Sequence, residues 1–457
     1  MDKQQKTQSD LSFGSWGEAP GTVCAGAESM AANPETESPS ATDQLMEAVC
    51  QPDNLKQALK RVKANKGAPG VDGMSVHDLP AYLKANWPEV KGQLLAGSYR
   101  PQPVRRVEIP KPDGGVRNLG VPTVLDRFIQ QAVLQVLQWQ WDPDFAQQSY
   151  GFRPGRSAHM AVACAQGYIE QGYTWVVDLD LEKFFDRVNH DILMSRVARR
   201  VTDKRVLKLI RGFLEAGVMA GGLVGATDEG TPQGGPLSPL LSNLLLDDLD
   251  RELAHRGLHF VRYADDCNVY VRSERAGQRV MASIKDYLAR KLKLKVNEAK
   301  SAVAHPWERK FLGFTIQCRN GQTKRAIAPQ VLIRFKDRIR QLTRRGASLE
   351  QVVAQLGRYM TGWRGYFGYC ETPSTLRRLE EWVRHRLRSY LWRQWKRGTT
   401  RFRELRARGV GHDLAAQSAG SAHGPWRMGN SPAVNRALPN QYFVSLGLPP
   451  LWVKPIN

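Results

Sequence analysis

Leu258-His259-Phe260-Val261-Arg262-Tyr263-Ala264-Asp265-Asp266-Cys267-Asn268-Val269-Tyr270-Val271-Arg272 is the stretch that decides how the rest of the chain is read. Both flanks are rich in β-branched and aromatic residues, which predicts two strands joined by a tight turn at Tyr263–Asp266. Two adjacent carboxylates at a hairpin tip repel one another, and a divalent cation relieves the repulsion. Magnesium suits such a place because it takes hard oxygen ligands and leaves room for substrate phosphates. A third carboxylate would complete a two-metal site for in-line phosphoryl transfer, with ions about 3.5–4 Å apart. An isolated Asp-Asp in a hairpin is equally ordinary turn chemistry, so the surrounding chain has to discriminate.

Trp175-Val176-Val177-Asp178-Leu179-Asp180-Leu181 is the next strong signal. Its alternation places Asp178 and Asp180 on one face of a strand. Charged residues in so apolar a strand need partners or a metal. Asp180 is the candidate third ligand, and Asp178 is expected to have a structural or hydrogen-bonding role. Phe184-Phe185-Asp186 follows, then a helix over 189–201. Gly230-Thr231-Pro232-Gln233-Gly234-Gly235-Pro236-Leu237-Ser238-Pro239 is a Gly-rich loop running into a helix through Leu240, Leu244, Leu245 and Leu249. Ser238 is expected to cap that helix, with Pro239 in its first turn. Such a loop can offer backbone N–H groups to phosphate or base.

The chain has 457 residues, 42% hydrophobic, enough for a sizeable core and roughly two to four domains. A formal charge of +22 and a pI near 9.9 predict a polyanionic partner, most simply nucleic acid. An anionic membrane surface is the alternative, but no apolar run reaches spanning length. Six scattered cysteines without a Cys-x-x-Cys pair suggest reduced thiols and a cytoplasmic protein. The N-terminus lacks a signal-peptide core, and no arginine precedes Arg61, which argues against a transit peptide.

Residues 1–44 read as disordered. Residues 44–66 carry an amphipathic helix, and Gly67-Ala68-Pro69-Gly70-Val71-Asp72-Gly73 is either a plain turn or a close approach to a nucleic-acid backbone. Residues 105–117 read as two strands around an Asp-Gly-Gly turn flanked by Lys111 and Arg117. Those cations could grip a triphosphate, or the hairpin could simply be solvated. Ile129–Trp141 is helical, Ser157 is expected to cap the next helix, and Arg153 and Arg156 could meet phosphates. Residues 277–292 form a further helix, Lys300 follows in Asn297-Glu298-Ala299-Lys300, and Phe311–Ile316 is a short strand. From about residue 329 the texture changes to helices with basic faces: 331–345, one opened by the capping box Ser348-Leu349-Glu350-Gln351, and 375–397 closed by Gly398. A bundle with a solvated basic face accounts for the aromatics there but not for the charge excess, which suits an RNA backbone. Arg377, Arg384, Arg388 and Arg393 are the candidate RNA contacts. Residues 399–457 are Gly- and Pro-rich, basic and poorly periodic.

In order and wording these blocks closely resemble the bacterial group II intron-encoded reverse transcriptases, or maturases. The resemblance runs from about residue 45 to 457. It rests on the loop at 67–73, Asp180-Leu-Glu-Lys-Phe-Phe-Asp, Pro232-Gln-Gly-Gly-Pro-Leu-Ser-Pro, Tyr263-Ala-Asp-Asp, Lys300, Phe311-Leu-Gly-Phe and Gly362-Trp-Arg-Gly-Tyr-Phe. It implies an α+β right hand: fingers and palm over 45–328, the palm carrying the carboxylates on an antiparallel sheet. A helical thumb or maturase domain would span 329–398 and a basic DNA-binding segment 399–457. It further implies that Asp180, Asp265 and Asp266 hold two Mg2+ ions and that Phe185 crowds a ribose 2′-hydroxyl. Lys111, Arg117, Gln233 and Lys300 would contact the nucleotide. The longest family members carry a cysteine-bearing HNH endonuclease domain, and with no cysteine beyond Cys370 none is expected here.

The expected function is RNA-directed DNA synthesis together with assistance to splicing of the intron RNA, with intron RNA, target DNA and primer, and dNTPs as partners and no membrane. The rivals are another bacterial reverse transcriptase (from a retron, a diversity-generating element or a CRISPR locus) and a non-catalytic RNA-binding splicing factor. The N-terminal loop with the long basic thumb disfavours the first, and three intact aspartates disfavour the second.

Overall fold

The structure, a computed structural model, describes residues 44–110, 115–220, 223–225, 230, 234–319, 321–344 and 346–453. The N-terminal extension up to residue 43, Lys111 and Gln233 lie outside them. The chain forms two compact units, one running to Ala161 and resuming over Trp175–Val303, the other comprising Val162–Thr174 and the chain from Ala304. That division falls ahead of the expected one at 328/329. Among the described residues no helix is long and apolar enough to cross a membrane.

Unit 1 opens with helices α1 (Leu45–Val49), α2 (Pro52–Ala64) and α3 (Leu79–Leu95). The single helix expected over 44–66 is divided because Pro52 has no N–H to continue α1 but fits the first turn of α2. The loop at 67–73 does make a close backbone approach, though to this chain: a Cβ on Gly70 would lie 2.6 Å from Thr123 Cα. Arg127 Nη2 donates to Ala68 O at 2.7 Å from the other side. Strands β1 (Val104–Pro110) and β2 (Val116–Val121) pair antiparallel, with Ile109 opposite Arg117. Helix α4 (Val124–Trp141) follows, capped by Thr123, and then α5 (Ala158–Glu170), whose residues from Val162 belong to unit 2 and whose Met160 N–H is accepted by Ser157 Oγ at 3.3 Å.

Next come β3 (Trp175–Leu179), α6 (His190–Ala198), α7 (Lys204–Glu215), β4 (Val218–Ala220) and β5 (Leu223–Gly225). The unit continues through α8 (Ser238–His255), β6 (His259–Tyr263), β7 (Asp266–Val271), α9 (Glu274–Tyr287) and β8 (Ala302–Ala304). One sheet has the order β2-β1-β4-β5 and the other β6-β7-β3-β8. The second sheet is apolar where strands meet helices: Val177, Phe260, Val261 and Val269 are fully buried. Ser238 lies one residue inside α8 rather than at its cap, which Leu237 occupies, and Ser238 O accepts from Ser242 Oγ at 2.8 Å.

Unit 2 contains the hairpin β9 (Phe314–Arg319) and β10 (Gln322–Ile327), then α10 (Pro329–Leu342), α11 (Leu349–Phe367) and α12 (Pro373–Gln394). The capping box Ser348/Gln351 is formed in both directions. Gly398 begins a helix instead of closing α12, which ends where Trp395 leaves helical geometry. The segment read as poorly periodic folds into α13 (Gly398–Ala407), α14 (His412–Ala419), α15 (Pro425–Met428), α16 (Pro432–Ala437) and α17 (Asn440–Ser445). Helices of four to ten residues are too short to display a period. Each instead supplies anchors such as Leu405, Met428, Val434 and Phe443 to the core that α10–α12 build.

This packing changes the reading of the α12 arginines. Arg388 is buried: its Nε donates to Leu438 O at 2.9 Å, its Nη2 to Asn440 Oδ1 at 2.8 Å, and it lies over the Phe443 ring. Arg384 is paired with Glu380, which also accepts the Leu451 and Trp452 N–H groups. Arg377 is exposed but stacks 3.9 Å above Trp452. Arg388 therefore holds the C-terminal helices on α12, and Arg384 is engaged with the carboxylate that receives the C-terminal strap. Replacing Arg388 with Ala removes two charge-assisted hydrogen bonds and should destabilise unit 2 by about 2–4 kcal/mol, read as a lower thermal midpoint.

Candidate active site

Sheet register assembles the carboxylates. β3 and β7 run antiparallel with Asp178 opposite Asn268 and Leu179 opposite Cys267. Extending that register by one residue sets Asp180 across from Asp266. β6 and β7 close through Tyr263 opposite Asp266, leaving Ala264 and Asp265 as a two-residue turn. Asp180, Asp265 and Asp266 thus share one end of one sheet. Asp265 and Asp180 are half-buried and Asp266 is exposed. Asp178 takes the structural role expected of it: with the Asn268 amide oriented to suit its neighbours, Nδ2 donates to Asp178 Oδ1 at 3.0 Å. Cys267, beside the pair, is buried, and burial raises its thiol pKa so that it stays protonated.

Residues 295–301 clamp the Asp180 backbone. Asp180 N–H donates to Ser301 Oγ at 3.0 Å, and Asp180 O accepts from Asn297 N–H at 2.8 Å. The same segment carries Lys300, whose Nζ lies 3.8 Å from Asp180 Oδ2. Beyond Asp180, Phe184–Asp186 makes one 3-10 turn, with Phe184 buried and Phe185 half-exposed, their rings edge-on at 5.2 Å. Gly230 N–H donates to Val188 O at 2.8 Å, and His190 Nε2 donates to Gly230 O at 2.6 Å. The start of the 230–239 loop is thereby tied to the segment carrying Phe185. Among the described residues, no three carboxylate, thiol or imidazole groups are arranged to enclose a metal ion by themselves.

The turn itself is held by a residue that motif reading passed over. Arg262, on β6, is 1% exposed, and all five of its N–H groups are used. Nε and Nη2 reach the two oxygens of buried Asp250 at 2.7 and 2.5 Å. Nη1 donates to Asn243 Oδ1 at 3.0 Å and to Ala264 O at 2.9 Å, and Nη2 also donates to Ser149 Oγ at 2.8 Å. Asn243 Nδ2 in turn donates to Gly151 O at 2.8 Å. Gly151 sits so close that a Cβ would lie 2.3 Å from Ala264 N. A charged residue in an apolar strand was the signal, the same rule that singled out Asp178.

The family description "Reverse transcriptase (RNA-dependent DNA polymerase)" matches residues 109–316, and "Group II intron, maturase-specific domain" matches 332–409. Protein YkfC of Escherichia coli (strain K12) is 34% identical, over 57% of this chain and 79% of that one. Group II intron-encoded protein LtrA of Lactococcus lactis subsp. cremoris is 27% identical, over 65% of this chain and 62% of that one. The chain therefore spans a little under two thirds of LtrA.

Asp250→Ala leaves the Arg262 charge buried without its carboxylate and should cost ~3–5 kcal/mol. Asp250→Leu with Arg262→Met, which removes both charges, should recover most of that loss. Denaturant unfolding of the three proteins checks both outcomes; equal stability of Asp250→Ala and wild type would contradict them.

Proposed function

Because the chain belongs to the family of group II intron-encoded reverse transcriptases, we propose that it copies RNA into DNA at the Asp180–Asp265–Asp266 cluster and holds its intron RNA for splicing through the basic surface of unit 2. What supports the first half is the β3–β7 register, whose extension by one residue sets Asp180 across from Asp266 at the end of the sheet. In the reaction a primer 3′-hydroxyl attacks the α-phosphate of a dNTP, and pyrophosphate leaves.

Three carboxylates offer only hard oxygens, which fits magnesium, an ion that keeps part of its shell for water and substrate phosphates. Two bound Mg2+ ions would supply the positive charge that activates the hydroxyl and steadies the pyrophosphate. Asp265 and Asp266 orient that charge from a turn that Arg262 holds in place. Asp180 does so from a backbone clamped by Ser301 and Asn297, with the Lys300 ammonium beside it to meet nucleotide phosphates. Phe185, beside the cluster, crowds a ribose 2′-hydroxyl, while Phe184 anchors the turn in the core. Lys111, Arg117 and Gln233 complete the nucleotide contacts in this reading. Arg393 and the exposed arginines of α10 and α12 take the RNA backbone, target DNA and primer are the further partners, and the cytoplasm is the place of action.

Asp265→Ala/Asp266→Ala should abolish cDNA synthesis, by at least ~1000-fold, and leave RNA binding and assisted splicing largely intact, since the intron RNA performs its own phosphoryl transfer. Primer extension and splicing run on one preparation decide it: undiminished DNA synthesis sinks the carboxylate assignment, and lost splicing with the fold intact sinks the separation. Phe185→Val should raise ribonucleotide incorporation ~10-fold or more. Phe184→Val should lower stability by ~1–3 kcal/mol without relaxing sugar choice, and the reverse pattern would mean the other ring is the gate.

A further inference from the structure

With Arg384 and Arg388 built into the fold of unit 2, its open cations lie on a different stripe. Trp382, Arg386 and Arg393 follow one another on one face of α12 at spacings of four and seven residues, and His385 borders that face. Lys336 and Arg340 of α10 reach the same place: Lys336 Nζ lies 5.6 Å and Arg340 Cζ 5.5 Å from the centre of the Trp382 ring. From α15, Trp426 packs against the His385 ring, centres 3.8 Å apart and planes tilted by 33°, and comes within 6.4 Å of Trp382. His385 Nε2 donates to Trp426 O at 2.7 Å, which fixes the short helix there. Yet 44% of Trp426 stays open to solvent.

The charge around this aromatic cluster is largely of one sign. Arg386 donates from Nε to Thr343 Oγ1 at 3.0 Å, a neutral partner. Burial first, then the neighbouring charges of Arg393 and Arg340, lowers the Arg386 pKa, so these guanidiniums repel one another. Asp337 offsets Arg340 alone, at 2.6 Å. Mutually repelling cations around Trp382, with the open indole of Trp426 next to that ring, form an arrangement that a phosphate backbone relieves and a base completes. A helical core gains nothing from the part of the Trp426 ring left open, and paired charges would be cheaper to fold.

We infer that this face of unit 2 binds a single-stranded RNA segment, with one unpaired base stacked on Trp426 and its flanking phosphates on Arg340, Arg386 and Arg393. The inference rests on the reading that the chain binds RNA and adds the site and the form of RNA bound. An RNA strand being copied and a loop of folded intron RNA present the same chemistry, an unpaired base between phosphates.

The test uses the full-length protein, fluorescence anisotropy, and labelled oligoadenylate RNA alongside a fully paired RNA duplex of equal length. Trp426→Ala should bind oligoadenylate about tenfold more weakly and the duplex as wild type does, measured at a temperature where circular dichroism shows both proteins folded. Trp426→Phe, which keeps a ring, should recover most of the affinity. Arg386→Gln/Arg393→Gln should flatten the dependence of affinity on salt, whereas Trp426→Ala should leave it unchanged. If the wild type binds oligoadenylate and Trp426→Ala binds it equally well, or loses duplex binding to the same degree, the inference falls while the functional reading stands. If the wild type binds no RNA, both fall. A raised template KM in primer extension by Trp426→Ala would assign the base to the copied strand, and an unchanged KM with weaker intron binding would assign it to an intron loop; either result supports the site.

Discussion

A buried guanidinium must find five acceptors and a counter-charge, and the end of the unit 1 sheet that carries Asp265 and Asp266 is built around one that does. Arg262 draws on α8 through Asp250 and Asn243, on the 148–151 segment through Ser149, and on the turn through Ala264 O. An unpaired charge at that depth costs several kcal/mol, so the elements that satisfy it are locked to one another. The main chain joins in: Tyr150 N–H donates to Arg262 O and Arg262 N–H to Gln148 O, both at 2.9 Å.

That lock bears on Asp265 and Asp266 because their turn is strained. Ala264 has φ +58°, and a two-residue turn with a positive φ at its first position ordinarily takes glycine. Phe152, whose ring lies 6.3 Å from that of Tyr263, also has φ +58°, an outlier for so bulky a residue. Conformations of this kind persist where the surroundings over-determine them. Here the Arg262 hydrogen bond to Ala264 O and the contact that only a glycine at 151 permits do so. Asp265 and Asp266 are therefore aimed by a network that contains no catalytic group.

Unit 2 shows the opposite use of the same side chain. Arginines there lie over tryptophan faces, Arg401 over Trp392 at 4.8 Å and Arg408 over Trp395 at 5.1 Å, or bind carbonyl and carboxylate oxygens of short helices. A large part of the basic composition is consequently structural. A helix of four to ten residues has little stability of its own, and planar guanidiniums that stack and hydrogen-bond at once hold such helices to α12. Among the charges that remain outward, Arg340, Arg386 and Arg393 lie close enough on α10 and α12 to repel one another.

Much of this was legible from local sequence. Period-two alternation identified β3, β-branched and aromatic enrichment around a turn identified β6 and β7, the order of the motifs identified the family, and the candidate carboxylates came from alternation and turn chemistry, all properties of a few adjacent residues. The partners of Arg262 were not legible, since they lie 12, 19 and 113 residues away and only packing brings them in. Nor could the sequence separate Arg388 from Arg386, two residues apart on one helix. Their fates depend on where α16 and α17 fold back, and helices that short carry no periodic signal. Sequence by itself determined the chemistry at the end of the sheet, because chemistry resides in residue types and their spacing. Tertiary structure alone decided which charges hold the protein together and which face outward, because burial is a property of the whole chain.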